Sequence, residues 1–157
     1  MSLWTDSLAP YREPLGTLTP AQRLRLAVTA IDSARAQISI QDEAAREWID
    51  AAMQVAHAAV EADESSVAFP SELSDQVEKL NDEVEEYGVP HLLEAIFAFD
   101  DYGSLDGEQL YALLYSCYEA LREREDPEPV TDEMEQSNAT CQSTIAYHNE
   151  LITSTLG

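Results

Sequence analysis

Apolar residues recur along this chain three and four positions apart, the spacing of an α-helix, and no stretch alternates long enough to predict a strand. Six stretches carry the helical pattern, at about residues 20–38, 43–62, 72–87, 90–100, 107–125 and 132–154. The connections between them are short, which favours neighbouring helices that run antiparallel. The pattern therefore predicts an all-α fold, a single-domain antiparallel bundle of about six helices with an N-terminal arm.

Capping residues and prolines mark the ends of these predicted helices. Residues suited to an N-cap stand before four of the stretches: Thr19 (followed by Pro20), Asp42, Ser71 and Thr131. The third helix is expected to end at Tyr87, because Gly88 suits the left-handed position that follows a helix. A stiff break at Asp126-Pro127-Glu128-Pro129 precedes the sixth helix.

The chain divides into two parts by this pattern. Residues 1–18 form an N-terminal arm, which Trp4, Leu8 and Tyr11 are expected to anchor in a groove. Residues 19–157 form an acidic helical bundle domain. A chain of 157 residues is long enough for one domain with a proper core.

Net charge is distributed very unevenly along the sequence. Residues 1–46 carry five acids and five arginines and sum to zero. Residues 47–157 carry 26 acids against Lys79, Arg122 and Arg124, and so hold the whole net charge of −23. A net charge of about 2–8 is enough to keep a small domain in solution, and the excess repels itself. This surplus predicts a basic partner.

The third predicted helix concentrates this acidity. Its apolar seam is narrow, and most other positions are acidic. Carboxylates four residues apart repel one another, and those near the end of the helix oppose its dipole. A partner-binding surface and a merely solvated face both remain open. The candidate partner-binding residues are Asp75, Glu78, Asp82, Glu83, Glu85, Glu86 and Tyr87, continued by Asp100, Asp101 and Tyr102 after the fourth helix.

A stripe of tyrosines on the fifth helix offers a second candidate surface. Tyr111, Tyr115 and Tyr118 are spaced to lie on one flank of the apolar face. Tyrosine at such a boundary buries its ring and keeps its hydroxyl hydrated, and it is also a frequent interface anchor. Packing at the rim of the core and partner binding therefore both remain open for this stripe.

Catalytic and metal-binding patterns are not found. The three histidines lie in three different helices without ligand spacing, so the sequence predicts no metal and no cofactor, and it does not indicate an enzyme. His57 is expected to form a surface ion pair with Glu61, and His148 to be a hydrogen-bonded histidine at the edge of the core. Cys117 and Cys141 are expected to be buried, reduced neighbours.

The same features limit the location and the partners of the protein. No apolar run approaches the length of a membrane span, and no signal peptide is visible, so a cytoplasmic location without membrane association is expected. Direct binding of nucleic acid is also not expected, since phosphates would repel the excess of carboxylates.

In size, charge and helical content, the chain resembles the immunity proteins that bacteria pair with nuclease or other nucleic-acid-modifying toxins. The resemblance implies a bacterial protein that binds a basic toxin, such as a nuclease or a deaminase, and occludes its active or nucleic-acid-binding site. Neutralising Asp82, Glu83, Glu85 and Glu86 together is then expected to weaken binding while leaving the fold intact or more stable.

Other functions remain open at this stage. A DNA mimic would use the carboxylates in place of phosphates on a DNA-binding protein. A self-associating structural or adaptor protein would pair copies through the neutral first 46 residues. A helical-bundle enzyme would need converging titratable groups. The sequence is compatible with a monomer or a homodimer.

Overall fold

The computed structural model describes residues 2–125 and 131–157, apart from the side chain of Asp132, and within these ranges it is helical without strands. Eight α-helices lie in the described ranges: α1 Leu3–Leu8, α2 Pro20–Gln37, α3 Glu43–Glu61, α4 Ser71–Glu83, α5 Val89–Tyr102, α6 Gly107–Glu125, α7 Asp132–Ser137 and α8 Ala139–Leu156. Two short 3₁₀ turns, Ala9–Tyr11 and Pro14–Thr17, connect α1 to α2. The all-α prediction is confirmed.

Local capping explains why several helix boundaries were predictable. The Thr19 hydroxyl accepts the Gln22 N–H, and the Gln22 side chain accepts the Thr19 N–H, which completes a capping box before α2. The Asp42 carboxylate accepts the Ala45 N–H at 2.9 Å and caps α3. These contacts involve residues only three apart, so the sequence alone contains the signal.

The predicted end of the third helix is wrong. α4 stops at Glu83, four residues before Tyr87, because Val84 adopts an extended conformation and turns its side chain into the core. Gly88 has φ +88°, as its left-handed preference indicates, but it precedes α5 rather than closing α4. Ser71 is the first residue of α4 and not its cap.

The end of the chain also differs from the prediction. The sixth predicted helix is two helices, α7 and α8, separated at Asn138, whose side chain caps α8 by accepting the Cys141 N–H at 3.0 Å. Asparagine competes for backbone hydrogen bonds inside a helix and is favoured at a cap. The predicted break at Asp126–Pro129 lies outside the described residues.

The core is built around α6, which packs against α2, α5 and α8. α5 is buried as its apolar sequence indicates, with Leu92, Ile96 and Phe99 fully enclosed. The α4 helix lies at the periphery, against α3 and α5. This placement leaves the acidic side of α4 facing solvent.

The N-terminal segment is part of this core. Trp4, Leu8 and Leu15 are fully buried, and α1 packs against α6 and α8. The backbone of Gly16 passes so close to Gly107 that a Cβ on Gly107 would lie 2.6 Å from the Gly16 nitrogen. In the described part of the chain, no helix combines the length and the apolar character that a bilayer crossing requires.

Candidate partner-binding face

The acidic face is defined here by five exposed carboxylates on two adjacent helices: Asp75, Glu78 and Asp82 on α4, and Glu94 and Asp101 on α5. The three on α4 are three and four residues apart, and the two on α5 are seven apart, so each set lies on one side of its helix. Within residues 2–125 and 131–157, no ion pair neutralises any of the five. The acidic face therefore carries uncompensated negative charge.

Two further acids predicted from the sequence flank this face. Glu83, at the end of α4, and Glu85, just beyond it, are both exposed. Asp100 is only half-exposed, and its carboxylate accepts the Ser74 hydroxyl at 2.9 Å. That bond joins the start of α4 to the end of α5, so Asp100 helps to hold the two helices together.

A groove of about 540 Å³ runs between α4 and α5 beneath the acidic face. From α4 it is lined by Ser74, Val77, Glu78 and Asn81, which recur at helical spacing along one side. From α5 it is lined by Pro90, His91, Leu93, Glu94 and Phe97. The groove thus has an apolar interior and carboxylates on both walls.

Glu94 belongs to the acidic face, although the sequence pattern does not predict it there. It lies in a nearly all-apolar helix, which was predicted only as the buried centre of the bundle. Glu94 is the one acidic residue in the sequence from 89 to 99, and it lies on the side of α5 that the core does not cover. Its isolation among apolar residues is the sequence feature that could have identified this exposed side.

Two exposed tyrosines lie at opposite ends of α5. Tyr87 precedes the helix and is 58% exposed, and Tyr102 is its last residue and is 51% exposed. Large aromatic side chains that are this exposed are suited to anchor a protein interface. Both predicted residues thus remain available to a partner.

Glu86 is not available to a partner, contrary to its predicted role. Its carboxylate accepts the backbone N–H groups of Gln41 and Asp42, at 3.0 and 2.8 Å, and pairs with Arg124 at 2.5 Å. Burial alone would raise the pKa of Glu86, but these hydrogen bonds and the Arg124 charge lower the pKa overall. Glu86 joins the turn before α5 to the start of α3 and the end of α6.

Neighbouring groups reinforce this connection. Arg124 also donates to the Ser39 carbonyl oxygen at 2.6 Å. Glu123 accepts the Gly88 N–H at 3.1 Å and lies 2.9 Å from the His91 ring nitrogen. Neutralising Glu86 should therefore destabilise the fold, contrary to the expectation from the sequence, because its carboxylate is bound by Gln41, Asp42 and Arg124.

The tyrosine stripe of α6 surrounds Trp4 and does not form an outer surface. The Trp4 ring lies 5.0 Å from Tyr111, 5.2 Å from Tyr115 and 6.3 Å from Tyr118, measured between ring centres. Tyr118 is fully buried and donates its hydroxyl to the buried Glu135 carboxylate. Tyr111 is also buried, and burial raises the pKa of all three tyrosines. Of the two interpretations, the structure favours packing.

His148 completes the enclosure of Trp4. Its Nδ1 accepts the Trp4 indole N–H at 2.9 Å, and burial lowers the pKa of His148 to about 4. The prediction of a satisfied histidine at the core edge is confirmed. His57 is paired with an acid at the surface as predicted, but the partner is not Glu61: its ring nitrogen lies 2.7 Å from the Asp32 carboxylate on α2.

The arginines form contacts with residues outside the acidic face. Arg12, Arg25 and Arg35 pair with Glu108, Asp63 and Asp50 respectively. Arg122 pairs with Glu119, and the buried Arg23 donates to the carbonyl oxygens of Leu105 and Leu18. The positive charge of the first 46 residues thus serves internal contacts and does not offset the acidic face.

Both cysteines lie in the core of the described part of the chain. Cys117 and Cys141 are buried free thiols, and burial raises the pKa of Cys117 to about 12, which opposes formation of a thiolate. No cluster of His, Cys, Asp and Glu in the described residues is arranged to hold a metal ion.

The acidic face and the groove between α4 and α5 are the features of this chain that bear on its function. No protein-family model matches the chain, and neither a curated protein nor a solved structure matches it.

Proposed function

We propose that this protein binds a basic protein through the acidic face and neutralises it by occluding its active or nucleic-acid-binding site. The proposal is carried by one observation: five exposed carboxylates on α4 and α5 have no intramolecular ion-pair partner within the described ranges. The protein acts by binding and not by catalysis. A bacterial toxin that acts on nucleic acid is the kind of partner that this charge suits.

Electrostatic steering supplies the first step of the mechanism. The acidic face attracts a basic surface before contact, and complementary charge can raise association rate constants to about 10⁸–10⁹ M⁻¹s⁻¹ at low salt. Tyr87 and Tyr102 then bury their rings against the partner and slow dissociation. The arrangement competes directly with nucleic acid for the same basic site.

The test begins with capture from a lysate of the protein's own source at low salt, followed by elution in a salt gradient and mass spectrometry. One variant neutralises four carboxylates of the acidic face: Asp75→Asn, Glu78→Gln, Asp82→Asn and Glu94→Gln. A matched control removes four exposed carboxylates from other helices and the N-terminal segment: Glu13→Gln, Glu61→Gln, Glu133→Gln and Glu150→Gln. Both variants have the same net charge.

The expected result is one stoichiometric basic protein that leaves at moderate salt, is retained by the control variant and is lost with the acidic-face variant. The purified partner should then lose its activity when the complex forms. Equal binding by the two variants would contradict the assignment, because net charge and not the acidic face would be responsible. Capture of several unrelated DNA-binding proteins that short DNA displaces would contradict the proposal and show instead that the protein is a DNA mimic.

A further inference from the structure

The groove between α4 and α5 has the shape of a binding site for a third helix. Val77 and Asn81 from α4 face Leu93 and Phe97 from α5, and the residues from each helix recur at intervals of three and four. An amphipathic helix is recognised in such grooves through apolar side chains at the positions i, i+3, i+4 and i+7. The groove therefore matches the period of a helical ligand.

Charge specifies the polar side of that ligand. Glu78 and Glu94 stand on opposite walls of the groove, and both are exposed. Among the described residues neither pairs with a cation of this chain. Lys79, the one basic residue of α4, instead lines a separate cleft between α4 and α3. A ligand that is apolar on one side and basic on its flanks would satisfy both walls.

We propose that the groove receives a basic amphipathic helix of the partner protein, an inference that rests on the function proposed above. Apolar side chains of that helix pack against Val77, Leu93 and Phe97. Lysine or arginine side chains on its flanks reach Glu78 and Glu94. Tyr87 and Tyr102 do not line the groove; they are exposed at the two ends of α5, on either side in sequence of the residues that line it.

A second copy of this chain is a poorer occupant. Its net charge is −23, so two copies repel one another, and an approaching helix would have to bring positive charge to the acidic walls. The helices that carry arginines use them in internal contacts, such as Arg35 with Asp50 and Arg124 with Glu86. Charge complementarity thus selects a foreign, basic helix.

The probe is a synthetic peptide of leucine and lysine, about five helical turns long, with leucine on one face. A control peptide has the same composition with leucine spread around the helix. Asn81→Trp fills the groove with a large side chain, and Gln54→Trp places the same side chain on the exposed surface of α3 as the matched control. Binding is measured by calorimetry, and circular dichroism checks that both variants are folded.

The amphipathic peptide should bind about tenfold more tightly than its control, a difference of about 1.4 kcal/mol. That preference should disappear in Asn81→Trp and persist in Gln54→Trp. In NMR spectra, the methyl groups of Val77 and Leu93 should shift with the amphipathic peptide.

Other outcomes separate this inference from the proposed function. Equal, salt-sensitive binding of both peptides would overturn the groove inference while the acidic-face proposal stands. Absence of binding by either peptide at low salt would overturn both, since a field that attracts a basic protein must attract a cationic peptide. A dimer of the chain that Asn81→Trp dissociates would assign the groove to a second copy and overturn the inference.

Discussion

Acidification should destabilise this fold through His148. Its Nδ1 accepts the Trp4 indole N–H, and the residue is 2% exposed, so the neutral imidazole is the form that fits. Burial lowers the pKa of His148 from 6.5 to about 4. The unfolded chain takes up a proton below about pH 6.5, whereas the folded chain resists it until about pH 4. The stability is therefore complete above this range and is lost as the pH falls through it.

The shift determines the size of the effect. Each unit of pKa difference corresponds to about 1.4 kcal/mol. Between pH 7.5 and pH 5, the free energy of unfolding should fall by about 2 kcal/mol on account of His148, and by pH 4 the loss should reach about 3 kcal/mol. A loss of this size is a substantial part of the stability of a single domain.

Urea unfolding followed by circular dichroism at pH 7.5 and pH 5 measures the loss. His148→Asn supplies the comparison, because its amide oxygen can replace Nδ1 as the acceptor for Trp4 and does not titrate. Carboxylates such as Glu86 contribute equally to both proteins, so the difference between them isolates the histidine. His148→Gln is a second non-titrating variant if His148→Asn does not fold. Equal losses in the wild type and the variant would refute the reasoning.

Three further predictions concern the contacts inside the molecule. Glu86→Gln should lower the free energy of unfolding by about 1–3 kcal/mol. Glu85→Gln, at the exposed position one residue earlier, should change that free energy little. Equal losses for the two variants in urea titrations would contradict the role of Glu86. Gly88→Ala should destabilise by about 1–3 kcal/mol, because Gly88 has φ +88° and a Cβ there meets a carbonyl oxygen of α6; a melting temperature equal to that of the wild type would argue against this. Cys117 and Cys141 should react with a thiol reagent only after unfolding, and rapid labelling of native protein would show that they are accessible.

The parts of the fold that could be predicted depend on contacts close in sequence. The starts of α2 and α3 are set by the caps Thr19 and Asp42, each bonded within three residues. The end of α4 depends on distant residues instead. Val84 leaves the helix to enter the core, and Glu86 meets Gln41 and Arg124, which lie 45 and 38 residues away in the sequence. A local pattern contains no record of those partners.

The candidate site was predictable in charge but not in detail. The run of acids on α4 indicated an anionic surface, and all five acids of that helix are exposed: Glu72, Asp75, Glu78, Asp82 and Glu83. The tyrosines of α6 could not be assigned to core or surface, because the decision depends on Trp4, more than a hundred residues earlier, occupying the space beside them. Glu94 joins the acidic face only through the packing of α5 against α4.

The association rate constant of the captured partner, measured against ionic strength, tests the central claim most directly. The account predicts that association with the wild type slows steeply as salt rises, since the Debye length shrinks from about 30 Å at 0.01 M to about 8 Å at 0.15 M. The variant that neutralises Asp75, Glu78, Asp82 and Glu94 should associate more slowly at low salt and depend less on salt, and the control variant of equal charge should follow the wild type more closely. Identical salt dependence in the two variants would contradict the claim that the acidic face receives the partner.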